Sequence, residues 1–256
     1  MKIQEVVNMK EEKNIFCFLL LFYGLIFAFF HIMPTFLKGF LKKPLTWGDT
    51  LDFLTPFVVI PFVYFLYYRI KKVLHSLPHL PKARMTLTGV MLAVAFLLYV
   101  DGHGLHLSSN SIARLLQSMK DTELYRAAYL FDEVVSHFMW HGGIFLISIS
   151  LIITAYKLPL KSLTKSNIAL LSIGTAFYGF NFFVDGIEGQ TVIFTFPAAG
   201  FGFILAFYLY LRRKRQGFQN PFLLFYLIAY LVSFLLFAYW GISYSGFPQF
   251  SELGWI

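Results

Sequence analysis

Apolar positions along the 256 residues fall into seven long blocks, at about 15–34, 52–70, 86–106, 127–156, 167–186, 191–211 and 221–244. Each is long enough to cross about 30 Å of hydrocarbon as a helix, and the fourth is long enough for its ends to project beyond it. Helix breakers and polar runs separate the blocks: Pro34 and Pro44, Pro78 and Pro81, the stretch from Ser108 to Glu123, Pro159, Gly186 with Gly189, and Pro221. The pattern predicts an all-α, polytopic integral membrane protein with seven transmembrane helices in a single domain spanning 1–256. Ile15 to Met33 resembles the apolar region of a signal peptide, but it is long and lacks a small-residue cleavage site, so it is read as the first span.

Composition agrees with this pattern. Hydrophobic residues make up 58% of the chain and charged residues 13%, which excludes an ordinary soluble surface. The 32 Phe and 15 Tyr suit lipid contact and interfacial anchoring. A net charge of +8 raises nucleic acid as a partner, yet the basic residues lie in short connections rather than along one face, so no nucleic-acid partner is expected. They report topology instead. Of the 21 Lys and Arg, fifteen fall on the N-terminal side of alternating spans, including the run Arg212 to Arg215, and six fall opposite: Lys38, Lys42, Lys43, Arg114, Lys120 and Arg126. The positive-inside rule then gives a cytoplasmic N-terminus and an exterior C-terminus. Cys17 is the only cysteine, so intramolecular disulfides and thiolate clusters are out of reach. A Lys- and Phe-rich chain of this kind fits a bacterial plasma membrane.

Ionisable residues inside apolar spans cost about 2.5–3.5 kcal/mol each on insertion scales, so they pair, bind metal or line water. Here they gather. The third block ends in Tyr99, Asp101, His103, His106 and Asn110; the fourth begins with Asp132, Glu133, Ser136, His137 and His141; the fifth closes with Tyr178, Asn181, Asp185 and Glu188. As helices, Tyr99, His103, His106 and Asn110 share a face, Glu133, His137 and His141 follow an i, i+4, i+8 line, and Tyr178, Asn181, Asp185 and Glu188 share another. Alternating topology puts all three clusters at the exterior level, and His31, Asp49 and Asp52 reach the same side. Short connections predict that the third, fourth and fifth spans are neighbours. Asp101 is also placed to pair with Arg114 or Arg126, Asp49 and Glu188 read as solvated loop charges, and Trp140 reads as core or lipid contact. Gly102, Gly104, Gly142 and Gly143 flank the histidines and suit close helix packing. His75 and His79 stand four apart as well, but Pro78 interrupts their spacing in a cytoplasmic loop.

Two histidines one helical turn apart can share a metal ion. The expected ligands are His137 and His141 with His103 or His106. Zinc is the expected metal and iron the alternative. A zinc ion on three imidazoles lowers the pKa of bound water toward about 7 and supplies hydroxide at neutral pH. Asp101, Asp132 and Asp185 are the candidate acids, and Asn110, Ser136 or Tyr178 can stabilise an oxyanion. Headgroup depth points to a membrane lipid, an ester or amide, as substrate. On these residues the chain resembles the membrane hydrolase superfamily of alkaline ceramidases and adiponectin receptors. The resemblance implies a seven-helix core with a zinc ion on three histidines, two from an HxxxH pair, and a nearby Asp and Ser. His137 and His141 would be the pair, His103 or His106 the third ligand, and Asp101 or Asp185 the acid. In that family the pair stands in the last helix; here it stands in the fourth block.

Other classes remain open. A di-iron oxidase or desaturase also uses His and carboxylates in a bundle, commonly with about eight histidines, and five of the seven here reach the exterior level. A proton or cation transporter would place polar groups at the midplane and on both sides. A noncatalytic membrane component would use the same groups only to satisfy one another.

Overall fold

The computed structural model describes residues 2–75, 82–160, 162–217 and 219–255. Helices α1 (Lys2–Phe36), α2 (Trp47–His75) and α3 (Lys82–Leu115) are followed by a short α4 (Glu123–Tyr129). A π-helical segment (Leu130–Ser136) runs on into α5 (His137–Ala155), and α6 (Lys165–Glu188), α7 (Val192–Lys214) and α8 (Pro221–Ser243) complete the chain. Strands β1 (Phe40–Lys42) and β2 (Leu45–Thr46) form a small antiparallel hairpin between α1 and α2. Among the described residues the fold is therefore all-α apart from that hairpin, and seven helical stretches are long and apolar enough to cross a membrane.

Local chemistry sets the helix ends. Asp49 accepts from Thr46 N at 2.7 Å while Thr46 Oγ1 accepts from Asp49 N at 3.0 Å, a reciprocal cap that starts α2. Thr164 and Asn167 form the same kind of box at α6. Asn220 caps α8, followed by Pro221 in the first turn, where its missing N–H costs nothing. Two boundaries differ from expectation. Helix α3 runs nine residues past 106 to Leu115, because Ser108 to Ser111 continue its hydrogen-bonded ladder, and the chain turns only at 116–122. The fourth block is not one α-helix either, because the π segment interrupts it.

The helices pack pairwise. Helix α3 lies along α5 and the π segment, α1 along α6 and α2, and α8 along α6 and α7. Gly102 and Gly143 make the α3–α5 contact possible: a Cβ on Gly102 would stand 2.5 Å from Trp140 N, and one on Gly143 would stand 2.7 Å from Tyr99 N. Gly104 and Gly142 face open space and have no such role. The expected adjacency of the third and fourth spans is observed. The fifth, α6, packs chiefly on α1 and α8 instead, and its Asp185 both lines the cavity end and meets His31 of α1.

Side-chain ties mark the two ends of the bundle. At one end Arg114 Nη1 donates to Pro44 O (2.6 Å) and Gln190 Nε2 donates to Gln249 Oε1 (3.1 Å), joining the hairpin, the end of α3, the α6–α7 turn and the C-terminal segment. At the other, Lys13 Nζ donates to Ser162 O (2.7 Å), Arg213 Nη2 to Leu158 O (3.1 Å) and Asn220 Nδ2 to Ala155 O (2.6 Å). The polar clusters lie at the first end. Between the ends sits an apolar, aromatic core that includes Tyr23, Phe27, Tyr178, Tyr226 and Tyr230.

Candidate functional site

At the hairpin end the interior opens into a cavity of about 970 Å³, at the upper end of the ~300–1,000 Å³ usual for ligand pockets. His106, His137 and His141 line it, together with Glu133, Asp185 and Asn110. The π segment helps to place them. A π turn inserts one extra residue, which rotates the preceding side chains relative to an α-helix and buries Asp132 and Ser136 together with His137. His137 and His141 then follow one α turn apart, with parallel rings whose centres are 5.8 Å apart.

The histidines come with oxygen partners. His106 Nδ1 stands 2.9 Å from Asp132 Oδ1, His103 Nδ1 3.2 Å from Asp52 Oδ1, and His31 Nδ1 3.3 Å from Asp185 Oδ2. His137 Nδ1 shares a hydrogen bond with Glu133 O (3.0 Å), and His141 Nδ1 shares one with Thr191 Oγ1 (2.5 Å). His31 is doubly tied, because its Nε2 also meets Tyr99 Oη at 2.8 Å; Asn181 Nδ2 donates to Asp185 at 2.7 Å on the other flank. Trp140 sits among all five histidines, with ring centres at 4.1 Å from His103, 5.2 Å from His31, 5.4 Å from His141, 5.9 Å from His106 and 6.0 Å from His137. It is a core residue of the site rather than a lipid contact.

The predicted site residues divide as follows. His103, His106, His137, His141, Asp132 and Asp185 are brought together. His106 and His137, with ring centres 4.9 Å apart, face the cavity, whereas His103 is packed under Trp140 and outside the lining, so His106 is the better third partner of the pair. Asp101 is exposed on the far side of α3, and Arg114 and Arg126 pair with Asp49 and Glu123 instead; the expected Asp101 ion pair is not formed. Ser136 is buried, and its hydroxyl donates to the Asp132 carbonyl, so it is not free to act on a ligand. Tyr178 bonds Ser148 (2.7 Å) in the aromatic core, away from the cavity. His75 is exposed at the opposite end, and His79 lies outside the described residues.

Two acids read as solvated are not. Asp49 is buried in a two-pronged pair with Arg114, at 2.6 and 3.0 Å. Glu188 accepts from Phe250 N (2.9 Å) and fixes the C-terminal segment at the cavity wall. Thr191 was not legible as a site residue, because it meets the cluster only through His141 of another helix, whereas Tyr99 stands on the face read for it and bonds His31.

His103 Nε2 is buried without a hydrogen-bond partner among the described residues, while His103 Nδ1 and His106 Nδ1 are taken up by the Asp52 and Asp132 carboxylates. A buried ring nitrogen of this kind is rare and calls for a ligand, an ion or water. The donor set fits zinc or iron: imidazoles with carboxylates beside their second nitrogens. Two imidazoles on one tetrahedral zinc, at Zn–N of about 2.0–2.1 Å, carry ring centres roughly 5 Å apart, which is near the 4.9 Å of His106–His137 and the 5.8 Å of His137–His141. No three His, Cys, Asp or Glu among the described residues converge on one point as they stand, so coordination requires side-chain rotation. Comparison with protein-family models, with curated proteins and with solved structures finds no match for this chain.

Proposed function

We propose that the protein is an integral membrane hydrolase that uses a metal ion, zinc before iron, to cleave an ester or amide in a lipid at the exterior face. The supporting observation is the ordering of three cavity-lining imidazoles, His106, His137 and His141, each with its Nδ1 on an oxygen partner: Asp132 Oδ1, Glu133 O and Thr191 Oγ1. Membrane insertion rests on the seven long apolar helices, and a cytoplasmic N-terminus with an exterior C-terminus rests on the distribution of Lys and Arg. That orientation puts the cavity at the exterior headgroup level.

His106, His137 and His141 would hold the metal, which when bound supplies an activated water at neutral pH. Asp132 beside His106 orients that imidazole. Of the acids that line the cavity, Glu133 and Asp185 are assigned to take the proton from water and return it to the leaving alcohol or amine. Asn110, on the wall formed by α3, is the donor available to the developing oxyanion.

The test is fatty-acid release from a panel of acyl esters and acyl amides presented in mixed micelles. The reading expects release that stops on chelation, returns with added zinc, and falls at least about 100-fold in His137→Ala. Metal-independent release would contradict it, as would no release from any acyl lipid by metal-loaded protein. The oxidase reading gains no specific observation, since His31 is already bonded on both ring nitrogens.

A further inference from the structure

The cavity is polar at one end and apolar at the other. Its apolar part does not stay inside the bundle: Phe180 and Val184 of α6 and Leu236 and Tyr239 of α8 line it, and Phe180 and Tyr239 are 46% and 65% exposed on the outer flank. The two helices touch tightly just below, where Ser233 Oγ donates to Gly179 O at 2.8 Å. From that contact toward the site, the space between them is lined by apolar side chains on both walls. It leads past Trp240 to Asp185 and the histidines, so one continuous space joins a hydrocarbon-facing flank to the acids.

We propose that the space between α6 and α8 holds one hydrocarbon chain of a lipid, entering sideways from the bilayer, with its polar linkage at the histidine cluster. This rests on the hydrolase reading for what happens at the polar end, but chain binding stands apart from catalysis and metal. A water-soluble substrate would have no use for an apolar opening on the flank, and an amphiphile matches both ends of the cavity. The occupant is thus a lipid with an unbranched chain rather than a free polar metabolite.

Tryptophan fluorescence in nanodiscs tests this. Replacing exposed Trp47 and Trp255 by Phe leaves Trp140 and Trp240, both buried in the protein and both lining the cavity. Phosphatidylcholine with brominated chains quenches indoles that its chain touches. The proposal expects at least a twofold loss of emission relative to unbrominated lipid, in metal-free as in metal-loaded protein. It expects Val184→Phe with Leu236→Phe to restore most of it, and Phe180→Ala with Tyr239→Ala, which only widens the opening, to deepen it. Equal emission in both lipids overturns the proposal, and so does quenching that neither pair of substitutions changes. Because the readout ignores turnover, it stands or falls separately from the hydrolase reading.

Discussion

At the residue scale, the site is built from pairs rather than from isolated ligands. His106 with Asp132, His103 with Asp52 and His31 with Asp185 each join a helix to a carboxylate from a different element. A carboxylate beside a ligand imidazole typically changes metal affinity by about 10–100-fold, so Asp132→Asn should weaken zinc retention by that factor, read by competition with a fluorescent chelator. Asp101→Asn, on the exposed side of α3, should leave it unchanged. The histidines were legible from the sequence because ionisable residues in apolar blocks stand out, and topology alone put them at one level. Their partners were not. Helical spacing put Asp101 on a face beside that of His103 and His106, and it points outward, but which acids of other elements, Asp52 and Asp132 among them, meet the histidines depends on helix packing that the sequence does not show. Arg114 was likewise assigned to Asp101, whereas α2 presents Asp49 within its reach.

At the element scale, the helices were readable and their interruptions were not. Seven apolar blocks correspond to seven helical stretches among the described residues that are long and apolar enough to cross a membrane, yet the π segment at Leu130–Ser136 has no pattern signal, since it differs from an α-helix by one inserted residue. Asp132 and Ser136 are its buried residues. Gly102 and Gly143 hold α3 against α5, the contact that brings His103 and His106 to His137 and His141. Gly143→Val should therefore drive the helices apart and lose both thermal stability and bound metal, while Gly104→Ala and Gly142→Ala, facing open space, should keep both; melting in detergent reads the difference. Asn220 has two duties, capping α8 and donating to the end of α5 at Ala155 O. Asn220→Ala should cost about 1–3 kcal/mol, at the end of the bundle away from the site, and lower the melting temperature without changing metal content.

At the scale of the whole molecule, the side of the membrane that the cavity faces decides which lipids reach it. A thiol placed at Ser245 in a Cys17→Ser background should react with an impermeant reagent on intact cells, and one placed at Gln216 should react only after lysis; the reverse pattern would turn the site toward the cytoplasm. Which helix neighbours which was the part of the architecture that sequence could not supply: α6 lies against α1 and α8, and its acid meets the cluster across His31. The chemistry depends most on one quantity, the metal content of protein purified rapidly in mild detergent without chelators. The account predicts about one zinc per chain, lost when His137 and His141 are both changed to Ala while the folded helical signal is kept. Protein that is folded, freshly purified and free of any transition metal would contradict it.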